Sequence, residues 1–360
     1  MKIFVINPGS TSTKAALFES GRELWKESIS HPIEIISTYK NIAAQLDFRY
    51  EVLLSILAKH DTALSEIDAF AGRGGLLHPL ESGTWIVNEE MVDDLLSARY
   101  GSHASNLGGP IAERLAKEAG GKPAYIVDPV VVDERIPEAK VSGMPEAPFL
   151  SIFHALNQRA VAHRIAKQMG KNIEECRFIV AHLGGGVSIG AHEKGRIIDV
   201  NQALGGFGPM SPERAGTIPG QGVVDLCFSG LYTKEEIQKK VNGLGGVAAH
   251  LGTTDFREVL SRVDSGEEKA ILVFNALCHQ IAKEIGAAAT VLQGNVDAII
   301  LTGGLAYSDL LCSGIKRRVD WIASVITVPG EDELLALAEG VARVMKGEEN
   351  AKIYRKIMLE

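Results

Sequence analysis

Three stretches of this chain set small residues directly after an apolar run: NPGSTSTK from Asn7 to Lys14, HLGGGVS from His182 to Ser188, and TGG from Thr302 to Gly304. A turn rich in Gly, Ser and Thr can direct backbone N–H groups and hydroxyls toward an anion without a side chain blocking approach, and a phosphate chain is the usual ligand. Lys14 adds a point charge to the first. Two such turns facing one molecule would clamp a triphosphate, and the third would let an adenine ring lie against bare backbone. One Gly-rich turn is ordinarily only a tight turn, but three behind apolar runs point to a nucleotide. Neither a P-loop G-x-x-x-x-G-K-[ST] nor a convincing strand-linked G-x-G-x-x-G accompanies them, which disfavours P-loop and Rossmann readings.

Ile3 to Ile6 is a β-prone run suited to a strand buried on both faces, and Ala15 to Phe18 resumes the pattern, so NPGSTSTK is expected to be the turn of a hairpin. Helical spacing follows at Tyr50 to Lys59 and Glu89 to Ser97, with AFAGRGGLLHPL and its lone Arg73 between them. Ala124 to Val132 is a strand interrupted by Asp128 and Pro129, and proline there predicts a strand end or an edge. The Pro- and Gly-rich stretch Pro137 to Pro148 is the expected domain boundary. A helix is predicted over Ala155 to Met169, then strand, turn and strand over Arg177 to His192, and a final helix over Glu333 to Lys346. FVINPGSTSTKAAL and FIVAHLGGGVSIGA share the order strand, small-residue turn, strand, with Gly9 facing Gly184 and Asn7 facing His182. Such a repeat half a chain apart predicts two related lobes.

Composition narrows the class. The chain has 360 residues, is 46% hydrophobic and 23% charged, and carries a formal charge of -8, which fits two globular domains. Its lysines and arginines are scattered, so no basic face for nucleic acid is expected. The four cysteines, Cys176, Cys227, Cys278 and Cys312, form no C-x-x-C pair and read as reduced, buried thiols rather than a zinc site or disulfide framework. Ile3 to Ile6 is too short for a signal-peptide core, and the apolar stretch around Ile285 to Gly304 is interrupted by Gln293, Asn295 and Asp297. A cytoplasmic protein without a membrane partner is expected.

NPGSTSTK, FHALNQRAV, HLGGGVS, PERAGT, TTDFREV and PGEDEL occur in that order between Asn7 and about Glu339. In these motifs the chain resembles the acetate and butyrate kinases of the acetokinase family, in the superfamily that also holds sugar kinases, actin and its chaperone relatives. Acetate kinases have longer chains, HLGNG where this one has HLGGG, and F-H-G-T-S-H where it has FHALNQ, so the resemblance leans to the butyrate side. It implies an α/β fold of two duplicated, ribonuclease-H-like (actin-like ATPase) lobes, mixed sheets flanked by helices around a nucleotide cleft. The expected lobes are residues 1–148 with 334–360, and residues 149–333.

The implied reaction is reversible transfer of the ATP γ-phosphoryl group to a short-chain fatty acid, butyrate or isobutyrate, giving an acyl phosphate and ADP, with Mg²⁺. Acetate or propionate is the alternative acceptor, and a non-catalytic actin-like nucleotide-binding protein the reading from another class. A homo-oligomer is expected. A carboxylate is already ionised, so the enzyme needs alignment and charge neutralisation rather than a general base.

The resemblance assigns Arg73 to the substrate carboxylate and Arg214 to the transferring phosphoryl group, with Asp128 orienting the metal shell or Arg214 and His154 donating to the phosphoryl group. His182, Gly184, Gly185 and Gly186 would hold phosphates, with Asn7, Ser10, Ser12 and Lys14 opposite. Asp255, Phe256 and Arg257 would meet the ribose and adenine, and Gly303, Gly304 and Ala306 the adenosine. Asn7 and one acid of Glu331, Asp332 and Glu333 would serve the metal; counting back from Leu334 points to Asp332, one residue either way staying open. The GGLL segment after Arg73 is expected to open room for a longer acyl chain.

Overall fold

The computed structural model describes residues 1–357, an α/β chain of two compact units: residues 1–133 joined by the chain from Asp332 onward, and residues 134–331. Residues 358–360, which the expected first lobe includes, lie outside the described residues. Twelve strands are described: β1 (Lys2–Pro8), β2 (Ser12–Glu19), β3 (Arg22–Ser30), β4 (Ala69–Arg73), β5 (Thr84–Ile86), β6 (Ala124–Val127), β7 (Arg177–Leu183), β8 (Val187–Glu193), β9 (Arg196–Val200), β10 (Ala298–Gly303), β11 (Val325–Pro329) and β12 (Lys352–Ile353).

The first unit holds a seven-stranded sheet in the order β12-β5-β6-β4-β1-β2-β3, the second a five-stranded sheet in the order β11-β10-β7-β8-β9. Both contain the same mixed core. The first strand of a hairpin pairs antiparallel with the second, the second pairs antiparallel with a third, and the first strand's other edge is followed by two parallel strands: β3-β2-β1-β4-β6 and β9-β8-β7-β10-β11. The register shift between Leu17 and Phe18 in the first sheet has its counterpart between Ala191 and His192 in the second. The repeated hairpin thus belongs to a repeated five-stranded core, to which the first sheet adds β5 and β12.

The apolar runs have a direct structural cause. Alternate side chains of β7 enter two cores: Ile179, Ala181 and Leu183 pack with Leu277 and Ile281 of helix Glu268–Val291, while Phe178 and Val180 pack with Val161 and Ile165 of helix Ala155–Gln168. A strand covered on both faces has no polar positions, and each fully buried Ile, Leu or Phe contributes about 1.5–3 kcal/mol. In β1, Phe4, Val5 and Ile6 are likewise buried.

Several sequence expectations need correction. The first hairpin turn comprises only residues 9–11, because Ser12, Thr13 and Lys14 already pair as strand, Lys14 opposite Asn7. The units divide at 133/134 and 331/332 rather than at 148/149 and 333/334. The residues just before the Pro-rich segment are tied to β9: Ile136 N donates to Ile198 O at 2.9 Å and Ile197 N to Glu134 Oε2 at 3.1 Å. Cys176, Cys278 and Cys312 are buried, but Cys227 is exposed on helix Gly220–Phe228. Among the described residues no helix is long and apolar enough to cross a membrane.

Candidate active site

In each unit the chemistry-bearing residues lie at the carboxyl ends of the parallel strands, where open α/β sheets bind their ligands. In the first, Ile6 pairs with Gly72 and Arg73 with Val127, so Asn7, Arg73 and Asp128 stand level at the ends of β1, β4 and β6. Helix Glu333–Met345 brings its first residue to them: Asn7 Nδ2 donates to Glu333 Oε2 at 2.6 Å, and Arg73 Nη1 pairs with Glu333 Oε1. Burial opposes ionisation of Glu333, yet the Arg73 guanidinium, the Asn7 amide and the Lys14 charge together hold its carboxyl below the usual range.

The three acids of the PGEDEL stretch go to three different places. Glu331 faces His182 Nε2 at 3.3 Å in the second unit, and Asp332 caps the helix by accepting from Leu335 N at 3.1 Å, with Lys26 Nζ 3.7 Å from the same oxygen. Glu333 alone joins Asn7 and Arg73, so counting back from Leu334 selected the capping residue. Among the described residues no group of three or more His, Cys, Asp and Glu side chains is placed to hold a metal. Mg²⁺ needs none, taking one or two carboxylates beside phosphate and water oxygens. Glu333, oriented by two donors, with the amide oxygen of Asn7, is a hard-oxygen donor set that fits it.

Asp128 is 3% exposed and adopts φ 38°, an uncommon value for a residue other than glycine. It exchanges bonds with Gly83, accepting from Gly83 N at 2.6 Å through Oδ1 and donating its own N–H to Gly83 O at 3.0 Å. The strand therefore ends at Val127. The glycines after Arg73 do not open room. A Cβ on Gly74 would sit 2.6 Å from Pro129 Cβ, and one on Gly75 2.5 Å from Asn106 Cα, so neighbouring chain fills the space.

In the β1–β2 connection the carbonyls of Thr11 and Ser12 are occupied from within the fold. Ser12 O accepts from Gly9 N at 2.8 Å and Thr11 O from His31 N at 2.7 Å, while the N–H groups of Ser10 and Thr11 donate to nothing among the described residues. Ser10 and Thr11 are exposed, so these donors face outward.

In the second unit, Thr302 pairs with His182 and Gly303 with Pro329, which sets residues 184–186, 303–304 and 330 at the ends of β7, β10 and β11. Gly184 N donates to Gly186 O at 3.0 Å, and Ser211 Oγ donates to Gly185 O, again leaving the N–H groups of Gly185 and Gly186 without a partner among the described residues. A Cβ on Gly186 would overlap the Arg214 guanidinium, which lies against the turn and donates to Ala203 O at 3.1 Å. Its buried Nε has no hydrogen-bond partner among the described residues, and burial pulls its pKa down. Such an arginine still stays protonated, leaving a desolvated cation beside the unused amides.

His154 and His182 stack, centroids 3.7 Å apart and planes 9° from parallel. Ser188 Oγ lies 2.8 Å from His154 Nδ1, and Asn157 Oδ1 2.8 Å from His182 Nδ1. Neither Asn157 nor Ser188 carried a signal beyond its place in FHALNQ and GGGVS.

The adenosine-side residues divide. Gly303, at φ +89°, lets β10 approach Leu183, where a Cβ would overlap the Leu183 carbonyl. A Cβ on Gly304 would meet nothing within 4 Å, and Ala306 is buried. Asp255 and Arg257 pair with each other, Nη2 to Oδ2 at 2.7 Å, and that bond holds the Asp255 carboxyl down to about 2. Asp255 also caps helix Phe256–Asp264, whereas Phe256 is 8% exposed and packs in the core near Phe274. The ring expected to meet the nucleotide is a core residue.

The model of the acetokinase family matches residues 152–313. Butyrate kinase 1 of Clostridium acetobutylicum is 51% identical over 354 residues, 98% of this chain and 99% of that protein. Among solved structures, Porphyromonas gingivalis acetate kinase matches with a TM-score of 0.80 at 21% identity, covering 96% of this chain and 99% of its own. A propionate kinase from Francisella tularensis subsp. tularensis matches with a TM-score of 0.72 at 18% identity, covering 94% and 98%. The structures share the fold; the sequence identity, sustained from end to end, decides kinship: the chain belongs to the acetokinase family.

Proposed function

We propose that this protein reversibly transfers the γ-phosphoryl group of ATP to a short-chain fatty acid, butyrate or isobutyrate, giving an acyl phosphate and ADP. The observation that carries the reading is the constellation at the end of the first sheet, where an arginine fork already engaged by a carboxylate stands beside a turn with unused amides. Arg73 Nη1 pairs with the Glu333 carboxylate, which holds the guanidinium at the end of β4, and bidentate recognition of a substrate carboxylate suits a guanidinium. The reading assigns both half-sites to one ATP.

The roles follow from what each group can do. Arg73 orients the acceptor carboxylate in line with the phosphoryl group, which needs no deprotonation. Arg214, desolvated beside the glycine turn, neutralises charge on the transferring oxygens, and the unused amides of Gly185 and Gly186 add preorganised donors. His154 and His182, fixed by Ser188 and Asn157, donate to the phosphoryl group. Asp128 holds the end of β6 against Gly83. Mg²⁺ would be held by Glu333 and Asn7, where it supplies charge neutralisation to the phosphates. ATP or ADP and the carboxylate are its small-molecule partners, and the protein acts as a cytoplasmic homo-oligomer.

Hydroxylamine trapping of acyl phosphate across acetate, propionate, butyrate and isobutyrate tests the reaction. Butyrate or isobutyrate should give the highest kcat/KM; a clear preference for acetate rejects the acceptor assignment, and ATP hydrolysis indifferent to every acid rejects the reaction. Arg73→Ala should cut kcat/KM by about 10³-fold or more while calorimetry finds ADP affinity within a few-fold of wild type. Equal loss of ADP binding contradicts the role.

A further inference from the structure

The turn between β1 and β2 is held from behind by a residue that no motif marks. Arg49, on helix Leu46–Lys59, is fully buried, and its guanidinium uses all five N–H groups. Nε and Nη2 each donate to Gln45 Oε1 at 3.0 Å, and Nη1 donates to Ser12 O at 2.9 Å and Thr13 Oγ1 at 3.1 Å. Nη2 also reaches Ser10 O at 3.3 Å.

Every one of these acceptors is neutral. A buried cation is ordinarily paired with an acid, because an isolated charge loses its hydration without return. Here the return comes from carbonyl and hydroxyl dipoles, and no acid among the described residues pairs with the positive charge behind the turn. His31 belongs to the same network, with Nε2 2.7 Å from Thr13 Oγ1. Burial and the nearby Arg49 charge push its pKa down, so the imidazole stays neutral and adds no second cation. With Arg49 on Ser10 O and Ser12 O and the His31 backbone N–H on Thr11 O, the three successive carbonyls from Ser10 to Ser12 are tied, while the Ser10 and Thr11 amides have no partner among the described residues.

We propose that Arg49 is a positioning residue for the nucleotide's polyphosphate, fixing the β1–β2 turn with its carbonyls tied and its amides outward and placing an unpaired positive charge behind it. It touches no reacting atom and acts through the turn. The inference rests on the reading of that turn as a phosphate site, and it separates two contributions, shape and charge, that a lysine and a methionine at position 49 divide.

The test is calorimetry with ADP and with adenosine, plus steady-state KM for ATP and for butyrate, on wild type, Arg49→Lys and Arg49→Met. Arg49→Met should weaken ADP and raise KM for ATP by about 10-fold or more, the effect of losing a charge-assisted contact. Adenosine affinity and KM for butyrate should stay within about twofold, because neither meets the turn. Arg49→Lys keeps the charge but cannot span Ser10, Ser12 and Gln45, and should fall between. A purely structural role would lower melting temperature and active fraction while leaving the ratio of ADP to adenosine affinity unchanged; a folded Arg49→Met with the wild-type ratio overturns the inference. Should Arg49→Met not fold, Gln45→Leu, which removes the acceptor that orients the guanidinium, must shift the same ratio in the same direction, and an unchanged ratio overturns it equally. Failure of the wild-type protein to form acyl phosphate would overturn the kinase reading instead, while the affinity ratio decides the role of Arg49.

Discussion

The β1–β2 turn and the β7–β8 turn occupy equivalent places in two sheets of one strand order, but they are held by different means. The first has four residues between its paired ends Pro8 and Thr13, the second three between Leu183 and Val187. Ser and Thr build the first, and a cation buried behind it, Arg49, ties down its carbonyls. Glycine builds the second, the Ser211 hydroxyl ties down a carbonyl, and the cation, Arg214, lies against the turn where a Cβ would otherwise be. Both arrangements consume carbonyls and leave amides free, which is the requirement of an anion site. The duplication therefore kept the backbone solution and moved the arginine. A charge behind a turn can only favour binding; a charge beside it can follow a phosphoryl group as it transfers.

The comparison can be broken at its glycines. Gly186→Ala would drive its Cβ into the Arg214 guanidinium and should cost about 10²–10³ in kcat, as loss of a transition-state donor does, with ADP affinity little changed. Near-normal turnover would show that the position of Arg214 is unimportant. Glu333→Gln should raise the Mg²⁺ concentration for half-maximal rate by about 10-fold. It should also change acid stability: the ionised carboxyl is favoured in the folded lobe, so its stabilisation is complete above the unfolded pKa of about 4.3 and fades as pH falls through the lower folded value. The variant's melting temperature should accordingly depend less on pH below about 4 than wild type's, and parallel curves would contradict the pairing. Gly9→Ala is the counterpart to Gly186→Ala; its Cβ would come 3.3 Å from the movable Ser12 Oγ, so kcat should change by less than about threefold. A collapse of activity there would mean that the two turns are equally intolerant. Smallest of all, Asp255→Asn keeps the capping oxygen and breaks only an exposed ion pair, and KM for ATP should move by less than about twofold.

Much of this was legible in the sequence, and the exceptions have physical causes. The doubled hairpin can be read because strands buried on both faces are continuously apolar and their turns are made of small residues. The family motifs marked His154, His182 and Arg214: His182 is on β7, His154 precedes helix Ala155–Gln168, and Arg214 lies against residue 186. Arg49 could not be found that way: on an amphipathic helix an arginine reads as solvent face, and partners that are backbone carbonyls leave no trace in residue types. The acids at 331–333 could not be sorted either, because a helix start takes one acid as a cap and turns its neighbour elsewhere, and that phase is settled only in three dimensions. Phe256 looked available in TTDFREV, but the helix begun by Asp255 turns its ring into the core. The glycines after Arg73 suggested space, and Pro129 and Asn106 supply what fills it.

Phosphorus NMR of the protein with ATP, Mg²⁺ and butyrate follows both products of the transfer at once. An acyl phosphate resonance should rise in step with ADP, return toward ATP when ADP is added in excess, and be absent with Arg73→Ala. Inorganic phosphate accumulating in place of acyl phosphate, at a rate that butyrate does not alter, would contradict the account.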